Sequence, residues 1–253
     1  MVDPTERFGA LAGDYARYRP GYPAALGPLV MERAGLRPGA RVADVGCGTG
    51  LSSELLLEAG CTVIGIEPNL SMRQEASARL GAHPRFVACE GSAEHTGLPA
   101  HGADLIFAAQ AFHWFDVEAT RAEFTRVLGS GGPVALVWNT RRTDTPFGAD
   151  YEAMLLKHGT DYAEVGHRSV DVARVSELCN DGEVRHDVVP NAQRLDRESL
   201  RGRTLSSSYL PGPGDLARGP LLEDLERVFE AHAADGMVCM DYDTELYSGR
   251  VTG

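Results

Sequence analysis

Hydrophobic and polar positions along the chain form two kinds of segment. Short apolar runs such as Val42–Val45 and Cys61–Ile66 predict buried strands, and amphipathic segments between the runs predict helices. Further apolar runs follow at Phe86–Cys89, Asp104–Ala108 and Val134–Trp138. Each parallel pair of strands needs a crossover connection, so this alternation predicts a parallel sheet covered on both faces. We therefore expect an α/β chain with a doubly wound sheet.

The second half of the chain adds two strands and several helices to this pattern. Glu183–Val189 and Met237–Tyr247 predict the final strands, which gives a sheet of about seven. Amphipathic spacing and end signals predict helices over 23–35, 51–58, 116–128, 150–158, 170–179, 197–207 and 221–233. The periodicity weakens after Asn139. We therefore predict that 140–182 is a helical cap inserted after the fifth strand.

A glycine-rich turn follows the first strand. It contains Gly46, Gly48 and Gly50, and Asp44 precedes it on the strand itself. Glycine allows backbone to approach a ligand where a Cβ would collide. The second strand then ends at Glu67, whose carboxylate can accept hydrogen bonds from ribose hydroxyls. These residues predict a nucleoside-binding βαβ unit.

Two cofactor classes use such a unit, and the glycine spacing distinguishes them. Turns that bind the pyrophosphate of a nicotinamide cofactor have the spacing G-x-G-x-x-G. Here the spacing is G-x-G-x-G, and Asp44 would repel a pyrophosphate, whereas it suits a ligand with an ammonium and a sulfonium group. The residues favour S-adenosylmethionine, and a nicotinamide oxidoreductase is the disfavoured alternative.

Several ordered motifs over roughly residues 8 to 140 resemble those of a known family. Asp44–Gly50 resembles the first motif of class I S-adenosylmethionine-dependent methyltransferases, and Ile66–Asn69 with Met72 resembles their ribose and adenine segment. Gly91–Glu94 resembles the loop over the adenine edge. The segments 109–116 and 15–23 resemble a small-molecule branch that includes trans-aconitate methyltransferase-like proteins.

This resemblance implies a Rossmann-like sheet of mostly parallel strands, with the last strand antiparallel. We expect a single domain over 1–253, with a helical lid (1–35), a cofactor-binding core (36–139), the cap (140–182) and C-terminal strands and helices (183–253).

The resemblance also implies which residues contact the cofactor. They are Tyr15, Arg19, Asp44, Gly46, Cys47, Gly48, Gly50, Glu67, Pro68, Met72, Ser92, Ala93, Glu94 and Gln110. Ser92 departs from the family pattern, because many relatives have Asp there and a hydroxyl brings no charge. The planar fork of Arg19 can pair with the cofactor carboxylate or with an anionic acceptor, and an ordinary surface arginine is the alternative.

The expected acceptor pocket contains Tyr22, His113, Trp114, Trp138 and Asn139. His113 follows the fourth strand, where an acceptor would meet the methyl group, and so is a candidate general base. The alternative is that His113 only shapes the pocket within an aromatic cluster. Further candidates in the predicted cap are His158, His167 and Arg168.

Composition restricts the acceptor and the compartment. The formal net charge of −12 argues against a nucleic-acid acceptor, because phosphate neutralisation needs a basic face. The arginines that could form a local basic patch are Arg121, Arg126, Arg141 and Arg142, although scattered arginines usually form a solvated face.

The five cysteines lack C-x-x-C spacing, so we expect neither a metal site nor disulfides. We therefore expect a cytoplasmic protein. The start of the sequence, residues 1–7, has no apolar signal-peptide core, and no later run approaches the roughly twenty apolar residues of a membrane span.

We therefore expect direct methyl transfer from S-adenosylmethionine to an O, N or C atom of a small molecule, a carboxylic acid among the candidates. The product would be S-adenosylhomocysteine, and the protein a monomer or homodimer. The alternative is a protein of the same fold that binds the cofactor but catalyses another rearrangement or lacks catalysis.

Overall fold

The computed structural model describes residues 18–160, 162, 172–179, 182–207 and 209–252. Within these ranges one sheet has seven strands in the order β3-β2-β1-β4-β5-β7-β6. The strands are β1 (Arg41–Val45), β2 (Thr62–Ile66), β3 (Phe86–Cys89), β4 (Leu105–Ala109), β5 (Gly132–Arg141), β6 (Arg185–Leu195) and β7 (Val238–Val251). Neighbours among β1 to β5 pair in parallel, and β7 runs antiparallel to β5 and β6. The predicted fold class is confirmed.

Helices cover the sheet at positions close to those predicted. They are α1 (Leu26–Ala34), α2 (Leu51–Glu58), α3 (Leu70–Leu80), α4 (Val117–Leu128), α5 (Pro146–His158), α6 (Val172–Leu178), α7 (Arg197–Leu205) and α8 (Arg218–His232). A single 3₁₀ turn covers Phe112–Trp114. Side chains of Asn69, Asp116, Thr145 and Asp196 accept hydrogen bonds from backbone N–H groups at the first turns of α3, α4, α5 and α7, which fixes where these helices begin.

Successive residues of the central strands contribute to different apolar clusters. Val137 and Leu246 belong to the cluster that contains α1 and α2, whereas Trp138 and Tyr247 belong to the cluster that contains α4 and α6. This alternation follows from the two-residue period of a strand. Both faces of β4 are covered, and all five of its residues are buried. The carboxyl ends of the parallel strands therefore form the exposed edge where a ligand can bind.

A third apolar cluster lies over the amino-terminal half of β7. It consists mainly of residues from α5, α7 and α8, together with Val238, Met240 and Tyr242. Within the predicted cap, α5 packs on α8 and β7, whereas α6 packs on α4. The two described helices of the segment 140–182 thus lie in different layers, and α5 shares its layer with helices from the C-terminal part of the chain. The division into lid, core and cap remains a prediction.

Several predicted boundaries were wrong. β6 begins at Arg185 and continues to Leu195, beyond the predicted end at Val189, and β7 reaches Val251. Pro190 lacks an N–H group but lies on the edge strand, where a missing donor is tolerated. The helix α3 was not predicted, although Asn69 supplies its N-cap.

None of the described helices is both long and apolar enough to cross a membrane.

Candidate active site

The glycine turn after β1 closes onto the end of β2. The N–H groups of Gly46 and Cys47 both donate to the carbonyl oxygen of Ile66, at 2.8 and 3.2 Å. Gly46, Gly48 and Gly50 have φ angles of 74°, 55° and 84°, the left-handed region that glycine adopts without strain. The backbone of the turn is therefore fixed before any ligand binds.

The three glycines have different surroundings. A Cβ on Gly46 would lie 2.6 Å from the Cβ of Ala111, and one on Gly50 would lie 2.9 Å from Cδ1 of Leu80. A Cβ on Gly48 would meet no atom within 4 Å. Gly46 and Gly50 thus allow close packing within the protein, whereas Gly48 borders open space at the ligand edge. Cys47, between them, is buried, and burial raises the pKa of its thiol.

Glu67 lies at the tip of β2 and holds the glycine turn. Its Oε2 accepts a hydrogen bond from the N–H of Gly48 at 3.0 Å, and its Oε1 accepts one from the N–H of Asn69 at 2.9 Å. Burial raises the pKa of the Glu67 carboxyl in spite of these two donors. Each carboxylate oxygen has a second lone pair, so both can still accept a ribose hydroxyl.

Asp44 is fully buried beneath the same turn. Its Oδ2 accepts hydrogen bonds from the hydroxyls of Ser52 and Ser53, at 2.7 and 2.6 Å, whereas its Oδ1 has no partner. Burial raises the pKa of Asp44 to about 6, although both serines lower it. The Oγ1 of Thr49 is also buried without a partner. An acceptor atom buried in this way favours a cationic ligand group beside it.

Sequence reasoning did not identify Ser52, Ser53 or Thr49. A usable signal exists, because two serines in the first turn of a helix follow a strand that carries a buried acid. Hydroxyls at those positions can reach back to the acid and stabilise its charge.

The residues after Glu67 form the first turn of α3. Pro68 is exposed, and the side chain of Asn69 accepts a hydrogen bond from the N–H of Met72 at 3.0 Å. Met72 is buried. Arg73 donates from Nη1 to the carbonyl oxygen of Glu67 at 2.7 Å, and so fixes the backbone at the predicted ribose acid.

The loop after β3 contains Ser92, Ala93 and Glu94. The hydroxyl of Ser92 accepts a hydrogen bond from the N–H of His95 at 3.2 Å, and Ala93 is buried. Oε1 of Glu94 accepts a hydrogen bond from the N–H of Asp116 at 3.0 Å, which ties this loop to the start of α4. The described contacts thus give Ser92 and Glu94 roles in shaping the loop, and their contact with an adenine remains a prediction.

The chain leaves β4 through a strained residue. Gln110 is not glycine but has a φ of 56°, and its Nε2 donates to the carbonyl oxygen of Asn139 at 3.3 Å. Such a conformation costs free energy and is frequent at functional sites. It directs the chain into the 3₁₀ turn that contains His113 and Trp114, whose rings lie 4.8 Å apart between centroids. Trp114 is exposed, so this turn presents an aromatic surface next to the ligand edge.

Trp138 and Asn139 follow the buried part of β5, and their described contacts are with the protein itself. The indole of Trp138 is buried, with ring centroids 6.2 Å from Phe112 and 6.1 Å from Tyr247. Oδ1 of Asn139 accepts a hydrogen bond from the Thr244 hydroxyl at 2.5 Å, and Nδ2 donates to the carbonyl oxygen of Gly21 at 3.1 Å. Trp138 thus packs within the core, and Asn139 holds Gly21 against the sheet. Their contact with a substrate remains a prediction.

The segment 18–22 crosses the ligand edge and is held from β5 and β6. Asn191 donates to the carbonyl oxygen of Gly21 at 2.9 Å, and Gln193 donates to that of Tyr18 at 3.0 Å. Arg19 is half-buried in this segment, and Tyr22 packs against the apolar cluster of α1 and α2. Tyr15, His167 and Arg168 lie outside the described residues.

The remaining residues that the sequence suggested for a binding site lie away from this edge or contact other groups of the protein. Nε2 of His158 is 2.7 Å from Oδ2 of Asp224 on α8, a contact that joins α5 to α8. Each of the four arginines considered for a local basic patch is engaged within the protein. Arg121 donates to the carbonyl oxygen of Glu177, and Arg126, Arg141 and Arg142 pair with Glu123, Glu152 and Asp144. In the described part of the chain, no group of three His, Cys, Asp or Glu residues is placed to bind a metal ion.

The different surroundings of Gly46 and Gly48 give a first test. We expect Gly46→Ala to destabilise the protein by about 2 to 4 kcal/mol, since it combines left-handed strain with overpacking against Ala111. Gly48→Ala has only the backbone strain, so about 1 to 2 kcal/mol is expected. Urea denaturation of both variants measures the difference. Equal losses would show that the contact between residues 46 and 111 does not constrain the turn.

Comparison with known proteins agrees with this geometry. Residues 43–136 match the family profile described as a methyltransferase domain. An uncharacterized methyltransferase of Mycobacterium tuberculosis is 37% identical over 139 residues, which are 55% of this chain and 54% of that protein. An uncharacterized methyltransferase of Geobacillus thermodenitrificans is 34% identical over 131 residues, which are 51% of this chain and 60% of that protein. The chain thus spans little more than half the length of these curated relatives.

A solved structure extends the comparison to nearly the whole fold. A candidate type II methyltransferase from Anaeromyxobacter dehalogenans superposes with a TM-score of 0.70 at 24% identity, over 93% of this chain and 99% of that one. At this identity the likeness concerns the fold alone. The trans-aconitate branch is not tested by these comparisons and remains a prediction. The match to the family profile, within which the glycine turn and the acid at the tip of β2 lie, identifies residues 43–136 as a methyltransferase domain.

Proposed function

We propose that this protein transfers a methyl group from S-adenosylmethionine to a small-molecule acceptor. The observation that supports this proposal most strongly is the pair of buried acids around the glycine turn. Both carboxylate oxygens of Glu67 keep a lone pair that a ribose hydroxyl could use, and Asp44 has an unpaired Oδ1 where a cationic group would be stabilised. S-adenosylmethionine carries ribose hydroxyls, an ammonium group and a sulfonium, so its chemistry complements both acids.

The methyl-transfer step needs alignment more than it needs acid–base chemistry. The acceptor atom attacks the methyl carbon in line as the bond from that carbon to sulfur breaks, and S-adenosylhomocysteine leaves with the electron pair. Asn139 and Asn191 hold the segment 18–22 at the carboxyl end of β5, where it would help to exclude water from a bound acceptor. The aromatic turn with His113 and Trp114 borders the same edge, where an aromatic face stabilises a sulfonium by cation–π attraction.

The acceptor class follows from charge and from the cover over the site. Net charge is −12 and the arginines of the possible basic patch are engaged, which supports a small molecule over a nucleic acid. Among solved structures of similar fold, a geranyl diphosphate C-methyltransferase from Streptomyces coelicolor contains S-adenosylhomocysteine and a small-molecule substrate, with a TM-score of 0.50 and 14% identity. A cytoplasmic monomer or homodimer remains our prediction. The alternative function is a cofactor-binding protein of the same fold without methyl transfer.

Replacement of the ribose acid tests cofactor binding. We expect Glu67→Ala to weaken S-adenosylmethionine binding by about 1 to 3 kcal/mol, because charge-assisted hydrogen bonds are lost. Isothermal titration calorimetry measures the affinity. Glu90→Ala is a matched control, since Glu90 is an exposed acid whose carboxylate pairs with Arg73, the residue that donates to the backbone carbonyl oxygen of Glu67. Unchanged affinity in folded Glu67→Ala would remove the ribose assignment.

The raised pKa of Asp44 predicts a pH dependence of binding. The carboxyl has a pKa of about 6 without ligand, above its ordinary value near 4, so the unliganded folded protein binds this proton more tightly than the unfolded chain. The contribution of Asp44 to the free energy of unfolding therefore falls as pH rises from about 4 to 6, and is constant above pH 6. An ammonium beside Oδ1 lowers the pKa again, so ligand binding releases a proton at a pH near or below 6.

We expect S-adenosylmethionine affinity to fall by up to tenfold per pH unit below about 6. Calorimetry at pH 5.5 in two buffers of different ionisation enthalpy measures the released proton. Glu67 is also buried with a raised pKa, so Asp44→Asn is needed to separate the two acids. A wild-type protein that releases no proton at pH 5.5 would contradict the pairing of Asp44 with the ligand cation.

The role of His113 is tested by turnover. We expect His113→Ala to leave cofactor affinity within a few fold of wild type, because His113 follows β4 and not the ribose acid. As a general base, its loss would lower turnover by about 10²- to 10⁴-fold and remove a limb of the pH–rate profile near the histidine pKa. As a pocket wall, its loss would lower turnover less and preserve the shape of the profile. Unaltered turnover at every pH would place the acceptor elsewhere.

A further inference from the structure

A group of polar side chains is buried within the third apolar cluster, and we call it the cap cluster. It consists of Arg141, Tyr151, Glu152, Tyr162, Arg203 and Tyr242. These residues come from different parts of the chain, and Tyr151 interacts with both guanidiniums of the cluster. Neither the glycine turn nor the two acids of the cofactor site belong to it, so its charges need a separate explanation.

One arginine of the cap cluster has a carboxylate partner. Nη2 of Arg141 pairs with Oε2 of Glu152 and donates to the hydroxyl of Tyr162 at 2.8 Å. The same hydroxyl donates to Glu152 at 2.7 Å. The guanidinium also lies over the ring of Tyr151, with 4.9 Å from Cζ to the centroid. Nη1 of Arg141 nevertheless remains buried without a hydrogen-bond partner.

The second arginine has no carboxylate partner among the described residues. Arg203 is 9% exposed, and its Nε is buried without a hydrogen-bond partner. Burial disfavours its charge, and the groups that act against this effect are the phenols of Tyr242, Tyr151 and Tyr209, of which Tyr242 also hydrogen-bonds to the guanidinium. Two of these hydroxyls already have other contacts, since Tyr151 bonds to Thr204 and Tyr242 to Met240. Arg203 is therefore a buried cation surrounded by neutral groups.

The charges of the cap cluster do not balance. It contains two guanidiniums and one carboxylate, and an arginine does not lose its proton in a protein. A buried cation without a counter-ion destabilises the folded state, and buried N–H groups normally have partners. An oxyanion would supply both the missing charge and acceptors for the free N–H groups, because the planar guanidinium matches carboxylate and phosphate oxygens.

The position of the cap cluster connects it with the acceptor side of the site. Arg141 is two residues beyond Asn139 on β5, and both pair with residues of β7 on the same sheet face. Two residues along a strand span about 7 Å. On the other side, Gly202 of α7 contacts the ring of Tyr18, so the segment that covers the ligand edge packs beside Arg203. The cap cluster thus adjoins the segment 18–22 and the carboxyl end of β5, the part of the sheet edge where we expect the acceptor.

From these observations we propose that the acceptor carries an oxyanion, a carboxylate or a phosphate, which binds to Arg203 and Arg141 in the cap cluster. The rest of the acceptor then reaches towards the end of β4, so the anionic group positions the acceptor. This inference rests on the proposed function. It adds a substrate class, anionic small molecules, and the residues that select it.

The test measures anion binding by thermal unfolding and calorimetry at constant ionic strength. The probes are succinate and inorganic phosphate, with the neutral diamide of succinate and added chloride as controls. We expect either or both oxyanions to raise the unfolding temperature of the wild type and the diamide to have no effect. Arg203→Met should reduce oxyanion affinity at least tenfold, whereas Arg201→Met, an exposed arginine on the same helix, should not.

The unliganded variant gives a second readout. Because Arg203→Met removes an unpaired buried charge, we expect its unfolding temperature without anion to equal or exceed that of the wild type. If the methionine variant does not fold, Arg203→Lys keeps the charge and should lower oxyanion affinity through loss of the planar fork. No stabilisation of the wild type by either oxyanion beyond the chloride control would overturn the proposal. So would full oxyanion binding in both Arg203 variants.

Cofactor binding is measured separately, so that the two proposals can fail separately. S-adenosylhomocysteine should bind wild type and Arg203→Met within a few fold of each other. If the wild type does not bind S-adenosylhomocysteine, the proposed function is contradicted, whether or not oxyanions bind. Normal S-adenosylhomocysteine binding without oxyanion binding contradicts only the anionic acceptor.

Discussion

The hydrogen bonds from the Gly48 and Asn69 N–H groups to the Glu67 carboxylate are the interaction on which the site depends. They join the turn after β1 to the turn after β2, two segments that are far apart along the chain but adjacent at one edge of the sheet. The N–H groups of Gly46 and Cys47 add two bonds to the carbonyl oxygen of Ile66. With these bonds formed, the space beside Gly48 is shaped before a ligand enters, which lowers the conformational entropy that binding would cost.

Charge is distributed unevenly between the two sides of the ligand edge. The cofactor side buries Asp44 and Glu67, both with pKa values raised by burial, and Oδ1 of Asp44 has no partner. The cap side buries Arg203 without a carboxylate partner among the described residues. The side with Asp44 thus lacks a positive partner, and the side with Arg203 lacks a negative one. A cationic methyl donor on one side and an anionic acceptor on the other would satisfy both, and would bring reactants of opposite charge together.

The sequence predicted the parts of the structure that depend on local pattern. Apolar runs located β1 to β5, and the glycine spacing located the turn after β1, because strand burial and left-handed backbone leave direct traces in residue type. The remaining features depend on contacts between distant segments. Asn139 follows a strand as a pocket residue would, yet its side chain bonds to Thr244 and Gly21. Arg203 is one of several arginines in a polar stretch, and its burial depends on distant residues, the phenols of Tyr151, Tyr209 and Tyr242 among them.

A comparison of two cofactor classes tests whether the site binds a nucleoside with a cationic tail. Isothermal titration calorimetry of the wild-type protein with S-adenosylmethionine and with NADH, under identical conditions at pH 7.5, compares them without knowledge of the acceptor. We expect saturable binding of S-adenosylmethionine with one site per chain, and no measurable binding of NADH, because Asp44 repels a pyrophosphate. Tighter binding of NADH than of S-adenosylmethionine would contradict this expectation.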